Sequence, residues 1–169
     1  MRKVDRIGWH PGPWDQELDY YAWITTAKAP GLMVRNHLGS WCGYICVFAG
    51  HPDYGKPIEE IDASVHGGVT YAGPRPPRRN PKAADEWWIG FDCSHYGDLS
   101  PSNLIYSAPT DAVARLAIAG IQTYKDEKYV RAEAELLAYQ LRCCRAHEDC
   151  RSNRQLAIAC FDYQCGEKT

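Results

Sequence analysis

Leu32-Met33-Val34-Arg35-Asn36-His37-Leu38-Gly39-Ser40-Trp41-Cys42-Gly43-Tyr44-Ile45-Cys46-Val47-Phe48-Ala49 is an apolar run broken at Asn36 and again at Leu38-Gly39-Ser40. Those breaks predict two strands joined by a turn. The second strand, Trp41–Phe48, is nearly all apolar, which predicts a central place in a sheet. Downstream, His51-Pro52-Asp53-Tyr54-Gly55 reads as a turn. A third strand is expected over 63–72, with Val65, Gly67 and Val69 on one face and His66, Gly68 and Thr70 on the other. A fourth is expected over 86–93, around WWIGFD. Between them, GPRPPRRNPK at 73–82 holds four prolines and four basic residues; proline cannot donate to a sheet ladder, so this is a loop.

The flanks read differently. Residues 1–31 show no clean period and are expected to be irregular, apart from a short helix over 15–22 with Trp14, Leu18 and Tyr21 on one side. The second half, 110–147, turns helical. Thr110 or Asp111 can cap a helix that Gly120 stops. A longer helix is predicted over 126–147, where Val130, Ala134, Leu137, Leu141 and Cys144 form one apolar stripe. Asp126 and Glu127 in its first turn and Arg142, Arg145 and His147 in its last suit the helix dipole. In the tail, 148–169, Ser152 with Gln155 can cap one more short helix, although QLAIACFDY also alternates like a strand. Strands first and helices later predict an α+β domain over 1–169, an antiparallel sheet of about four strands against the long C-terminal helix.

Composition narrows the class. A chain of 169 residues suits one domain with its own core, and 45% apolar with 24% charged residues excludes global disorder. With 19 basic and 21 acidic side chains, the net charge of −2 provides no whole-protein field toward nucleic acid or an anionic membrane. No apolar stretch is long enough to predict a membrane-spanning helix. The opening MRKVDRIGWHPGPW lacks the apolar segment of a signal peptide. The eight cysteines are therefore expected as thiols in a reducing cytoplasm. Cys42, Cys46 and Cys93 lie in strand-like surroundings, whereas Cys143, Cys144, Cys150, Cys160 and Cys165 crowd the end. Cys144, His147 and Cys150 are spaced for a structural zinc, but paired C-x₂-C knuckles are missing, and a thiol cluster that simply packs explains them better.

Chemistry-bearing side chains gather at strand ends: His51, His66, Asp92, His95 and Asp98. Asp92 follows five strand-forming residues, and His95 and Asp98 fall on the loop beyond. Gly67 and Gly68 beside His66 leave room for a ligand to approach the backbone. Mixed His and Asp donors suit Zn, Mn or Fe, and a metal so held can activate water. The competing reading makes Asp92 a turn cap and His66 a hydrogen-bonded structural residue. Arg75, Arg78, Arg79 and Lys82 can gather a small anion beside the site, or simply keep a loop solvated. Trp87, Trp88, Tyr71 and Tyr96 can stack on a base, although such residues are more often core. Cys93 as a nucleophile is disfavoured, because His95 is too near in sequence to serve easily as its base.

Four ordered segments, GHP at 50–52, VHGGVTYA at 65–72, WWIGFDCSHYGD at 87–98 and YKDEKYVRAE at 124–133, resemble a family of small, functionally unassigned bacteriophage and prophage proteins. The resemblance implies a phage-type accessory protein in the host cytoplasm and assigns no catalytic roles. Three functions then compete. The first is a binder of a small anionic, nucleotide-like molecule, holding it with His66, Gly67, Gly68, Asp92, His95, Asp98 and the basic loop; countering a host signal in this way is implied by the resemblance alone. The second is a metal-dependent hydrolase of a phosphoester or amide. The third is an inhibitor that binds a host protein. The sequence leaves a homo-oligomer open.

Overall fold

The predicted central strand sits at the middle of a five-stranded antiparallel sheet. The computed structural model describes residues 4–7, 9, 11–74, 85–102 and 122–143. Its strands are β1 (Tyr20–Ile24), β2 (Pro30–Arg35), β3 (Trp41–Phe48), β4 (Tyr71–Gly73) and β5 (Glu86–Asp92), in the spatial order β1-β2-β3-β5-β4. One helix, α1 (Glu127–Cys143), packs on one face. The fold is α+β.

Alternation along β3 explains its apolar run. Trp41, Ile45 and Val47 meet Val130, Ala134, Leu137, Ala138 and Leu141 of α1, together with Ile89 and Phe91 of β5. Cys42, Tyr44 and Cys46 point the other way, into a second cluster with Leu32, Val34 and Trp88. With both faces buried, period-two polarity disappears. Gly43 lets the helix come close: a Cβ there would lie 2.8 Å from the Phe91 ring and 3.5 Å from Ala134 Cβ. Cys42, Cys46 and Cys93 are buried thiols, none of them in a disulfide.

Two expectations need correction. The sheet has five strands rather than four, because β1 occupies a segment expected to be irregular. Only Pro13–Gln16 coils, as a 3-10 turn, and Leu18 is exposed. Tyr21 and Trp23 alternate inward along YYAWI, and pairing from Tyr20↔Val34 to Ile24↔Pro30 wins over helical spacing. The strand expected over 63–72 shrinks to Tyr71–Gly73, because Gly67 and Gly68 adopt φ of +67° and +87° and close a turn in which the Gly68 N–H donates to Val65 O.

Residues 61–66 instead lie against α1. Gln140 replaces a missing strand: its Oε1 accepts the Ser64 N–H at 2.8 Å and its Nε2 donates to Ser64 O at 2.9 Å. Asp126 caps α1 by accepting the Tyr129 N–H at 2.8 Å. Elsewhere, buried Arg35 donates to Glu17 and Tyr124 and stacks on Trp41, tying the N-terminal segment to the residues just ahead of α1. The basic loop with Arg75, Arg78, Arg79 and Lys82, the helix expected over 111–119, residues 144–147 and the short element after Ser152 lie outside the described residues. So do Cys144, Cys150, Cys160 and Cys165. No helix among the described residues is long and apolar enough to cross a membrane.

Candidate metal centre

Three of the five candidate ligands converge. His66 comes from the glycine turn before β4, and His95 and Asp98 from the loop after β5. One donor atom from each lies within 4.8 Å of the other two. The loop is short and tied down: the Asp98 N–H donates to His95 O, and Asp98 bridges in parallel register to Thr123 just ahead of α1. Its Gly97, at φ +93°, permits the tight reversal.

Asp98 is the hub. Its side chain is only 3% exposed. Asp98 Oδ2 accepts from His66 Nε2 at 2.8 Å and from the His95 backbone N–H at 3.0 Å. A carboxylate only accepts, so the neutral His66 ring carries its proton on Nε2. Its Nδ1 then accepts from the Tyr129 hydroxyl at 3.0 Å. Glu133, one helical turn further along α1, accepts the His66 backbone N–H at 2.9 Å. The histidine is thus fixed at its backbone and at both ring nitrogens.

His95 is held differently. Its ring lies edge-on to His66, with centroids 5.4 Å apart. His95 Nδ1 is 3.4 Å from Asp98 Oδ2 but makes no hydrogen bond to it, and it is a buried polar atom with no hydrogen-bond partner among the described residues. Such an atom normally costs on the order of 1–3 kcal/mol, so its retention needs an explanation. The two imidazoles are 16% and 33% exposed on their side chains, leaving the cluster reachable from solvent. Lys125 Nζ stands 4.0 Å from Asp98 Oδ1 and 5.0 Å from the centre of the Tyr129 ring.

The chain matches no protein-family model, no curated protein and no solved structure.

His51 and Asp92 lie apart from this cluster. His51 accepts the Asp53 N–H on Nδ1 and donates from Nε2 to Leu141 O at 2.9 Å, satisfying a carbonyl at the C-terminal end of α1. The twelve-residue offset between Tyr129 and Leu141 corresponds to roughly 18 Å of helix rise. Asp92 pairs with Cys42 and shares the second face of the sheet with Trp88, opposite Phe91 and α1. Its Oδ1 accepts the Ser94 N–H at 3.0 Å, the work of a turn cap. The expected ligand space beside Gly67 is also filled from within: a Cβ there would sit 2.1 Å from His95 Cε1. Gly68 has open space around it.

Cys93 is an inert thiol, pushed up first by burial and then by the nearby Asp98 charge. Trp88 is core, Tyr71 packs edge-on against Tyr44, and Tyr96 is 98% exposed on the site loop. Tyr129 and Lys125 were not singled out as site residues from sequence, nor was Glu133. The available signal was polarity within the buried stripe: Glu133 and Gln140 stand among Val130, Ala134, Leu137 and Leu141, where only a polar partner makes them affordable.

Proposed function

We propose that His66, His95 and Asp98 hold one divalent transition metal, Zn, Mn or Fe, and that the protein is a metal-dependent hydrolase of a phosphoester or amide. The observation that carries this reading is the buried, unpartnered His95 Nδ1 beside a carboxylate and a second imidazole. Two imidazoles and one carboxylate form a three-ligand set that leaves coordination positions for water and substrate. Metal binding requires His66 Nε2 to give up its proton. The tautomer with the proton on Nδ1 keeps its contact with Tyr129, because a hydroxyl accepts as readily as it donates. Tyr129 then becomes the outer partner that orients a metal-bound histidine. In hydrolysis the oxygen of the activated water bonds to phosphorus or to the carbonyl carbon, the leaving-group bond breaks, and the departing atom takes up a proton.

The metal reading gains over the anion-binding one for an electrostatic reason. Asp98 and the imidazole lone pairs attract a cation. A role in the cytoplasm of a phage-infected cell is supported by the resemblance of the four sequence segments.

The test is metal content after loading with Zn²⁺, Mn²⁺ or Fe²⁺ and removal of excess. The wild type is expected to hold about one ion per chain, His95→Ala to lose it, and His51→Ala and Asp92→Asn to retain it. Equal metal in His95→Ala and wild type would overturn the proposal.

A further inference from the structure

Lys125 is a four-fifths buried cation whose donors make no hydrogen bond among the described residues. Its side chain is 20% exposed, and Nζ approaches no closer than 4.0 Å to Asp98 Oδ1. That separation is an ion-pair contact and too long for a hydrogen bond. The ammonium lies over the Tyr129 ring, with Nζ 5.0 Å from its centre, which directs Nζ without a hydrogen bond. None of its three N–H donors reaches a hydrogen-bond acceptor among the described residues.

The position of this ammonium matters more than its charge alone. Asp98 turns Oδ2 toward the two imidazoles and Oδ1 toward Lys125. The two oxygens of one carboxylate therefore separate the metal-ligand side from the ammonium side. An oxyanion with one oxygen on the ion and another on Nζ spans that gap directly. A neutral amide carbonyl brings no negative charge for Lys125 to meet. A phosphoryl group does, and its tetrahedral oxygens point in two directions at once.

We infer that Lys125 is the anion-recognising residue of this centre and that the substrate presents a phosphoryl group, one oxygen on the metal and another on Nζ. The inference rests on the metal reading of His66, His95 and Asp98. Lys125 lies immediately before the α1 cap Asp126 and just after the Asp98–Thr123 bridge, so the backbone that fixes the carboxylate also fixes the cation.

The experiment uses full-length protein loaded with Co²⁺, whose visible absorption reports its ligands, and titrates inorganic phosphate. Cobalt is expected to bind the wild type and the Lys125→Met variant with similar absorption. Phosphate is expected to alter the wild-type spectrum saturably, with affinity reduced roughly tenfold or more in Lys125→Met, the loss expected for one charge-assisted hydrogen bond. Lys125→Arg, which keeps a cation, is expected to retain most of the affinity. Absence of a cobalt spectrum in the wild type overturns the metal reading and the inference with it. A normal cobalt spectrum with no phosphate response, or equal phosphate affinity in wild type and Lys125→Met, overturns the inference and leaves the metal centre standing. Should Lys125→Met fail to fold, the comparison of phosphate with acetate on the wild type decides: a phosphoryl site responds to phosphate at much lower concentration, and equal responses reject it.

Discussion

Gly67 joins backbone conformation to site chemistry in one residue. Its φ of +67° is disfavoured for any L side chain, and its missing Cβ makes space for the His95 ring. Gly68, at φ +87°, has the first requirement without the second. Gly67→Ala and Gly68→Ala should therefore both lose about 1–2 kcal/mol of stability from backbone strain. Only Gly67→Ala should displace His95 and weaken metal binding, by roughly tenfold or more. Urea unfolding combined with cobalt titration of the two variants separates strain from site geometry. Equal loss of cobalt affinity in both would show that the His95 ring does not depend on the space above Gly67. Asp98 makes the complementary point, since one oxygen atom serves a ring nitrogen and a backbone N–H and so holds loop and site together.

At the scale of elements, α1 acts as a polar template as well as a hydrophobic cover. Glu133 accepts the His66 N–H, Gln140 pairs with both backbone groups of Ser64, and Glu135 accepts from Trp23 Nε1 and from Thr26. Ser64 and the His66 N–H consequently need no neighbouring strand to satisfy these backbone groups. Replacing Gln140 by Leu should strand the Ser64 N–H and C=O, at a cost of about 1–3 kcal/mol for each group left unpaired. Urea denaturation should show the loss, and amide exchange should accelerate at Ser64 and His66 before it does so in β3. If exchange instead rises uniformly across β3 and β5, Gln140 supports the whole core rather than this segment. The burial of Gln140 beside the apolar stripe comes from the fold. So does its partner, because the two are joined across 76 positions.

For the whole molecule, burial sets the response to alkali. Burial pushes the Cys93 thiol up, with the Asp98 charge adding to it. Burial likewise pushes up Tyr44, with Cys42 contributing next, and it raises Tyr124 against an opposing pull from Arg35. Each group stays protonated in the fold at a pH where the unfolded chain has begun to ionise. The native state then binds more protons, so stability falls as pH rises. This contribution is complete below the usual thiol value of ~8.5, declines above it, and declines further past the tyrosine value of ~10. Urea midpoints measured from pH 7 to 11 should fall steadily above about pH 9, and Cys93→Ala should flatten the early part of that fall. A midpoint unchanged to pH 11 would contradict the assignment.

The amino-acid sequence by itself determined what is local and periodic. The apolar runs of β2, β3 and β5, the stripe of α1 and the Asp126–Arg142 polarity of its ends follow from side-chain types and spacing over a few residues. Residue type and glycine spacing marked His66, His95 and Asp98 as candidate ligands, together with His51 and Asp92. Tertiary structure decided which candidates share a site. His51 and Asp92 have suitable chemistry, yet one closes the far end of α1 and the other points from the opposite face of the sheet. A one-residue step along β5 reverses the face, and no pattern of residue types reveals which face will receive the helix. Pairing across the fold likewise turned 20–24 into a strand, because long-range hydrogen bonds outweigh weak local preference, while the turn at Gly67 and Gly68 shortened the strand that ends at Gly73.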